Sequence, residues 1–107
     1  MIEQRKAERE HLIYYLRVFD RSDNSLFGHV VDISDTGMLI TCDRELNLNK
    51  HYDLAVENST VMNQLDVLDF KAECRWSSTD DTSHLVDGGF KLINPSESIH
   101  DMIATYH

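Results

Sequence analysis

Two short stretches carry most of the chemistry in this sequence. The first is Arg5-Lys6-Ala7-Glu8-Arg9, in which two arginines stand four apart. A guanidinium is a planar fork of donors. A pair of them close in sequence can grip phosphate oxygens or the O6/N7 edge of guanine, targets that lysine matches poorly. Taken alone, the stretch is accounted for as a solvated charged arm. The second is VVDISDTGMLI, Val30 to Ile40, where strand-forming residues are interrupted by Asp32, Ser34, Asp35, Thr36 and Gly37. Taken alone it is a strand-ending turn with Gly37 at positive φ. Asp32 and Ser34 are two apart, however, so on a strand they share one face while Ile33 points into the core. A carboxylate on an outer face accepts paired donors such as the N1–H and N2–H₂ of guanine. A neighbouring hydroxyl, and a glycine that lets backbone come close, complete a small polar platform.

The elements that must position these residues are legible from periodicity. Leu12 to Asp20 alternates and is rich in β-branched and aromatic residues, which predicts a first strand. The Asp, Ser and Asn of Asp20 to Leu26 predict a hairpin connection. Phe27 to Ile33 and Met38 to Cys42 read as the second and third strands, with Asp43 to Lys50 a polar loop and His51 to Glu57 a half-buried fourth strand. In the fifth, LDFKAECRW, Leu68, Phe70, Ala72, Cys74 and Trp76 fall on one face and Asp69, Lys71, Glu73 and Arg75 on the other. Ser77 to His84 reads as a loop, and Val86 to Asn94 as a sixth strand. Beyond Pro95, Ile99, Met102, Ile103 and Tyr106 recur at helical spacing, with Ser96 or Ser98 as the N-cap. Six short strands and one terminal amphipathic helix predict a mainly β domain, a six-stranded antiparallel barrel with a C-terminal α-helix over its wall or one mouth. The first eleven residues lack apolar content and are expected to form a flexible arm, so the chain divides into an arm over 1–11 and a barrel with its helix over 12–107.

Composition sets the boundaries. The chain has 107 residues, enough for one domain with one modest core, and a formal charge of −9. That charge repels DNA, RNA and anionic membrane except where a local basic patch dominates, and Arg5, Lys6 and Arg9 supply three of the ten basic residues. A small anion is therefore a better ligand than a long polyanion. No apolar run is long enough to span a bilayer and no signal peptide opens the sequence, so a cytosolic location without membrane insertion is expected. Cys42 and Cys74 each sit in an apolar run and read as buried, reduced side chains. The sequence holds six histidines without ligand spacing and no nucleophile elbow or phosphate-binding loop, so neither a catalytic nor a metal site is expected. Asp20 to Val31 imitates a calcium loop for three positions, but lacks the glycine at the sixth and the glutamate at the twelfth.

Read in order, Arg5-x-x-x-Arg9 just before the first strand and Asp32-x-Ser34-x-x-Gly37 at the end of the second resemble the signature of the PilZ domain, known as a bacterial receptor for cyclic di-GMP. The resemblance covers essentially the whole chain: HLIYYLRVFDR is similar to the first strand of many members, and FKAECRW, GGFKL and the terminal helix fall where the family has its last elements. It implies that Arg5 and Arg9 bind phosphates and guanine edges, and that Asp32, Ser34 and Gly37 receive a guanine on the barrel surface. Some members have a Trp near the end of the fifth strand that stacks on a guanine. Trp76 resembles it, although strand alternation puts Trp76 on the apolar face. Many members carry an additional Arg before the first motif arginine; here that position is Gln4, which implies one cyclic di-GMP per chain rather than a stacked pair. No catalytic role or cofactor follows from the resemblance. A receptor of this kind works through a protein partner, such as a motility, secretion or chemotaxis component, signalling by an ordering of its arm. The alternative is a PilZ-like protein adaptor that acts without nucleotide.

Overall fold

The structure, a computed structural model, describes residues 16–59 and 65–106. The arm over 1–11, with Arg5 and Arg9, and the expected start of the first strand at Leu12 to Tyr15 lie outside the described residues. Six strands, β1 (Arg17–Asp20), β2 (Ser25–Ile33), β3 (Gly37–Cys42), β4 (His51–Ser59), β5 (Leu65–Thr79) and β6 (Val86–Leu92), are followed by helix α1 (Glu97–Tyr106). All pairings are antiparallel. The strands close in the order β1-β2-β3-β6-β5-β4, with β1 returning to β4 through Val18↔Val56 and Phe19↔Ala55. The expected barrel and C-terminal helix are therefore present.

Alternation fills the interior. Val18, Phe27, Val30, Ile40, Leu54, Val56, Ala72 and Cys74 are each buried to within 2% of complete. The rings of Phe27, Tyr52 and Phe90 meet edge-on or tilted, with centroids 5.5 to 6.1 Å apart. The Tyr52 hydroxyl accepts the Asn47 N–H at 3.0 Å, so this aromatic keeps its polar tip satisfied while tying down the β3–β4 loop. The helix buries Ile99, Met102 and Ile103 against the core.

The differences from expectation lie at strand ends. The fifth strand is longer than the Leu68 to Trp76 pattern, because Ser77, Ser78 and Thr79 pair with Gly88, Asp87 and Val86. These residues are exposed and polar, so a loop reading of Ser77 to His84 followed from composition, while backbone pairing makes the first three of its eight residues strand. The sixth strand stops at Leu92, two residues early, and Asn94 turns to φ 45°. Of the two candidate caps, Ser96 takes the role: its Oγ accepts the Ile99 N–H at 3.2 Å. Replacing Ser96 by Ala should cost about 1 kcal/mol, measured as a lower urea midpoint at unchanged slope; an unaltered midpoint would show that the cap contributes nothing.

Candidate functional site

Two interruptions of strand alternation build the site. On β2, Val30 and Ile33 both point inward although they are three residues apart, which perfect alternation forbids. The register explains it: Val30 pairs with Ile40 and Asp32 with Leu39, so Val31 is an extra residue in a β-bulge. On β5, Cys74 pairs with Phe90 and Trp76 with Gly89, so Arg75 is the extra residue of a second bulge. The Cys74 thiol donates to the Trp76 carbonyl at 3.6 Å across that irregularity.

The second bulge overturns the placement of Trp76 on the apolar face. Phe70, Ala72 and Cys74 point inward as expected, but Trp76 is 48% exposed. It pairs with Gly89, whose neighbour Phe90 occupies the interior. A Cβ on Gly89 would run into the indole at Nε1 and Cε2, so the missing side chain is what lets the ring lie across β6. The first bulge does the corresponding service for Asp32. Because Asp32 pairs with Leu39, Leu39 with Gly89 and Gly89 with Trp76, these four residues form one outward row across β2, β3, β6 and β5. Three inter-strand spacings separate its ends, a span of about 14 Å.

This row runs through an open cleft of about 620 Å³ on the outer wall, lined also by Ser34, Gly37, Arg75 and Lys91. Its volume is that of an ordinary small-molecule site. The Asp32 carboxylate is oriented by the Ile33 N–H, which donates to Oδ1 at 2.9 Å; among the described residues nothing donates to Oδ2. The turn after β2 is held by the Ser34 N–H on the Gly37 carbonyl at 2.9 Å, with the Ser34 hydroxyl at 3.4 Å from the same oxygen. Gly37 is not at positive φ, contrary to the turn expectation, and no glycine in the chain is. Its requirement is close approach: a Cβ there would strike the Phe90 carbonyl of β6.

The structure thus gathers Asp32, Ser34, Gly37 and Trp76 around one cleft, while Arg5 and Arg9 lie outside the described residues. It adds Leu39, Gly89, Arg75 and Lys91, which sequence reasoning did not single out. Alternation puts Arg75 on the outer face of β5, but its sharing of one cleft with Asp32 depends on β6 entering between β3 and β5, which no local pattern signals. Both cysteines are buried, and burial pushes each thiol above its ordinary pKa, so neither is a thiolate at neutral pH. Among the described residues no helix is long and apolar enough to cross a membrane.

A six-stranded barrel with a ligand-sized cleft on its outer wall, framed by a carboxylate, an indole and two cations, defines a small-ligand binding domain. A family model for the PilZ domain matches residues 3–106, and the chain belongs to that family. PilZ domains are cyclic di-GMP-binding receptors that also engage partner proteins; they are binding domains, not known as catalysts. No curated protein matches the chain.

The two glycines of the cleft should respond differently to Ala. At Gly37 the new Cβ meets backbone that cannot yield, so the substitution should destabilise the barrel by about 1–3 kcal/mol. At Gly89 it meets a half-exposed ring that can swing away, so stability should hold better while the emission of Trp76, the only tryptophan, shifts. Chemical denaturation and fluorescence of both variants check this; equal stability losses with unchanged emission would contradict the packing described.

Proposed function

We propose that this chain is a receptor for cyclic di-GMP, holding one nucleotide in the outer cleft and passing the signal to a protein partner as its N-terminal arm is drawn over the ligand. The observation that carries the reading is the outward row: Asp32 and Trp76, far apart in sequence, stand at its two ends with half-buried Leu39 and bare Gly89 between them. Such a floor suits a flat purine. Asp32 is available to the N1–H and N2–H₂ edge of guanine, and the exposed indole offers a stacking face. Ser34 and Gly37 keep the adjoining backbone low against β6, so the base is not obstructed on that side. Arg5 and Arg9 contribute the bidentate grip on phosphate oxygens and the guanine O6/N7 edge. The partner is a protein that reads this face differently in the two states, of the motility, secretion or chemotaxis kind.

Loss of one charge-assisted, bidentate contact should cost on the order of 2–3 kcal/mol. Arg5→Ala, Arg9→Ala and Asp32→Ala should each weaken cyclic di-GMP binding by that amount in calorimetry while retaining the fold. Trp76 emission should quench saturably in the wild type. Wild-type affinity in Arg9→Ala would remove the arm from the site, and no binding by the wild type would leave the nucleotide-independent adaptor as the reading.

Stoichiometry follows from charge. Gln4 supplies no cation for a second nucleotide, which would bring two more negative charges to a protein at −9. Native mass spectrometry should find one cyclic di-GMP per chain, with Gln4→Arg shifting the distribution towards two; a wild type carrying mainly two at low micromolar ligand would contradict this.

A further inference from the structure

The described residues include seven arginines and lysines, and five of them are already engaged. Arg17 makes a paired contact with Glu57 at 2.7 and 3.0 Å. Arg21 meets Asp69 at 3.4 Å, and Lys71 meets Asp53 at 3.7 Å. Arg44 reaches Asp20 at 3.7 Å and donates to the Leu26 carbonyl at 3.0 Å, with its guanidinium 4.8 Å from the centre of the Phe27 ring. Lys50 lies 4.9 Å over the Tyr52 ring. The remaining two, Arg75 and Lys91, have no ion pair, hydrogen bond or ring partner among the described residues, and both line the outer cleft.

Their placement is specific. Arg75 is the extra residue of the β5 bulge, exposed beside Trp76 and opposite Gly89. Lys91 lies two residues beyond Gly89 on β6, paired on one side with Gly37 of β3, which has no side chain to cover it, and on the other with Glu73 of β5. Lys91 is thus a diagonal neighbour of the Arg75–Trp76 bulge, about 7–8 Å away across β5 and β6. Two long cationic side chains at that separation can converge on one phosphate group. The lining counts two cations against the single carboxylate of Asp32, with Glu73, the β5 partner of Lys91, lying outside the lining 3.7 Å from His51, on a protein whose net charge is −9. At a screening length of about 8 Å it is this local balance that a bound anion senses.

We propose that Arg75 and Lys91 hold a phosphodiester of the bound nucleotide against the barrel wall, a second cationic grip besides that of the N-terminal arm. The assignment rests on the cyclic di-GMP reading and adds two ligand-binding residues to it. Arg75 serves as the planar fork, reaching the phosphate from beside the indole, while Lys91 approaches as a point charge from the Gly37 side. The barrel then engages both parts of the ligand, the base through Asp32 and Trp76 and the phosphate through Arg75 and Lys91.

The test is calorimetric titration of the full chain with cyclic di-GMP at constant ionic strength, comparing wild type, Arg75→Ala, Lys91→Ala, Lys91→Arg and Arg21→Ala. Arg21→Ala removes the same charge from outside the cleft. Arg75→Ala and Lys91→Ala should each lose roughly tenfold in affinity, as expected for a partly exposed charge-assisted contact. Lys91→Arg should stay near wild type and Arg21→Ala within about twofold of it. A wild type that binds, with both cleft variants unchanged, overturns this assignment alone. So does an equal loss in Arg21→Ala, which would make the effect one of net charge. A wild type that binds no cyclic di-GMP overturns the functional reading and this assignment with it.

Discussion

Each strand of a closed barrel surrenders one of its two faces to the interior, and strict alternation then decides every side chain's direction. In this chain the site depends on breaking that rule twice. The extra residue Val31 lets Val30 and Ile33 both enter the core and leaves Asp32 paired with Leu39 on the outside. The extra residue Arg75 lets Cys74 stay inside while Trp76 comes out beside it. Without the first bulge the carboxylate loses its register; without the second the indole would compete with Phe90 for the interior. Because β3 and β6 lie between the two bulged strands, the irregularities face each other across one wall.

Small residues complete what the bulges begin. Gly37 lets the turn after β2 press onto the Phe90 carbonyl, and Gly89 lets the indole lie down over β6. The one is a requirement of backbone against backbone, the other of backbone against ring. Neither is a matter of left-handed conformation, since the positive φ values among the described residues belong to Asn24, Asn49, His84 and Asn94, in turns and loops outside the cleft. The result is a shallow floor with a polar edge at Asp32, an aromatic edge at Trp76 and cations at Arg75 and Lys91. An acidic protein thereby keeps a cleft that is not acidic.

The barrel was legible because its strands obey period two over most of their length and its helix places Ile99, Met102 and Ile103 at helical spacing. The polar packet Asp32, Ser34 and Gly37 was legible as a group because those residues lie within one turn. Trp76 was misplaced because a bulge leaves no local mark: LDFKAECRW alternates without fault, and only the pairing with β6 shows the slip at Arg75. Lys91 escaped notice for a different reason. Its place in the cleft comes from standing beside Gly37, a residue distant in sequence that β-strand order alone brings close. Ser77 to Thr79 show the converse, polar residues held as strand by backbone pairing without any apolar pattern.

The location of the nucleotide on the outer wall is tested most directly by amide and indole chemical-shift mapping of the full chain during titration with cyclic di-GMP. The shifts should concentrate at Asp32 to Gly37, at Leu39, at Gly89 and Lys91 and at the Trp76 indole Nε1–H, leaving β1 and β4 on the far side of the barrel little changed. Saturable shifts confined to β1 and β4, or no shifts at saturating nucleotide, would contradict a site built from the two facing bulges.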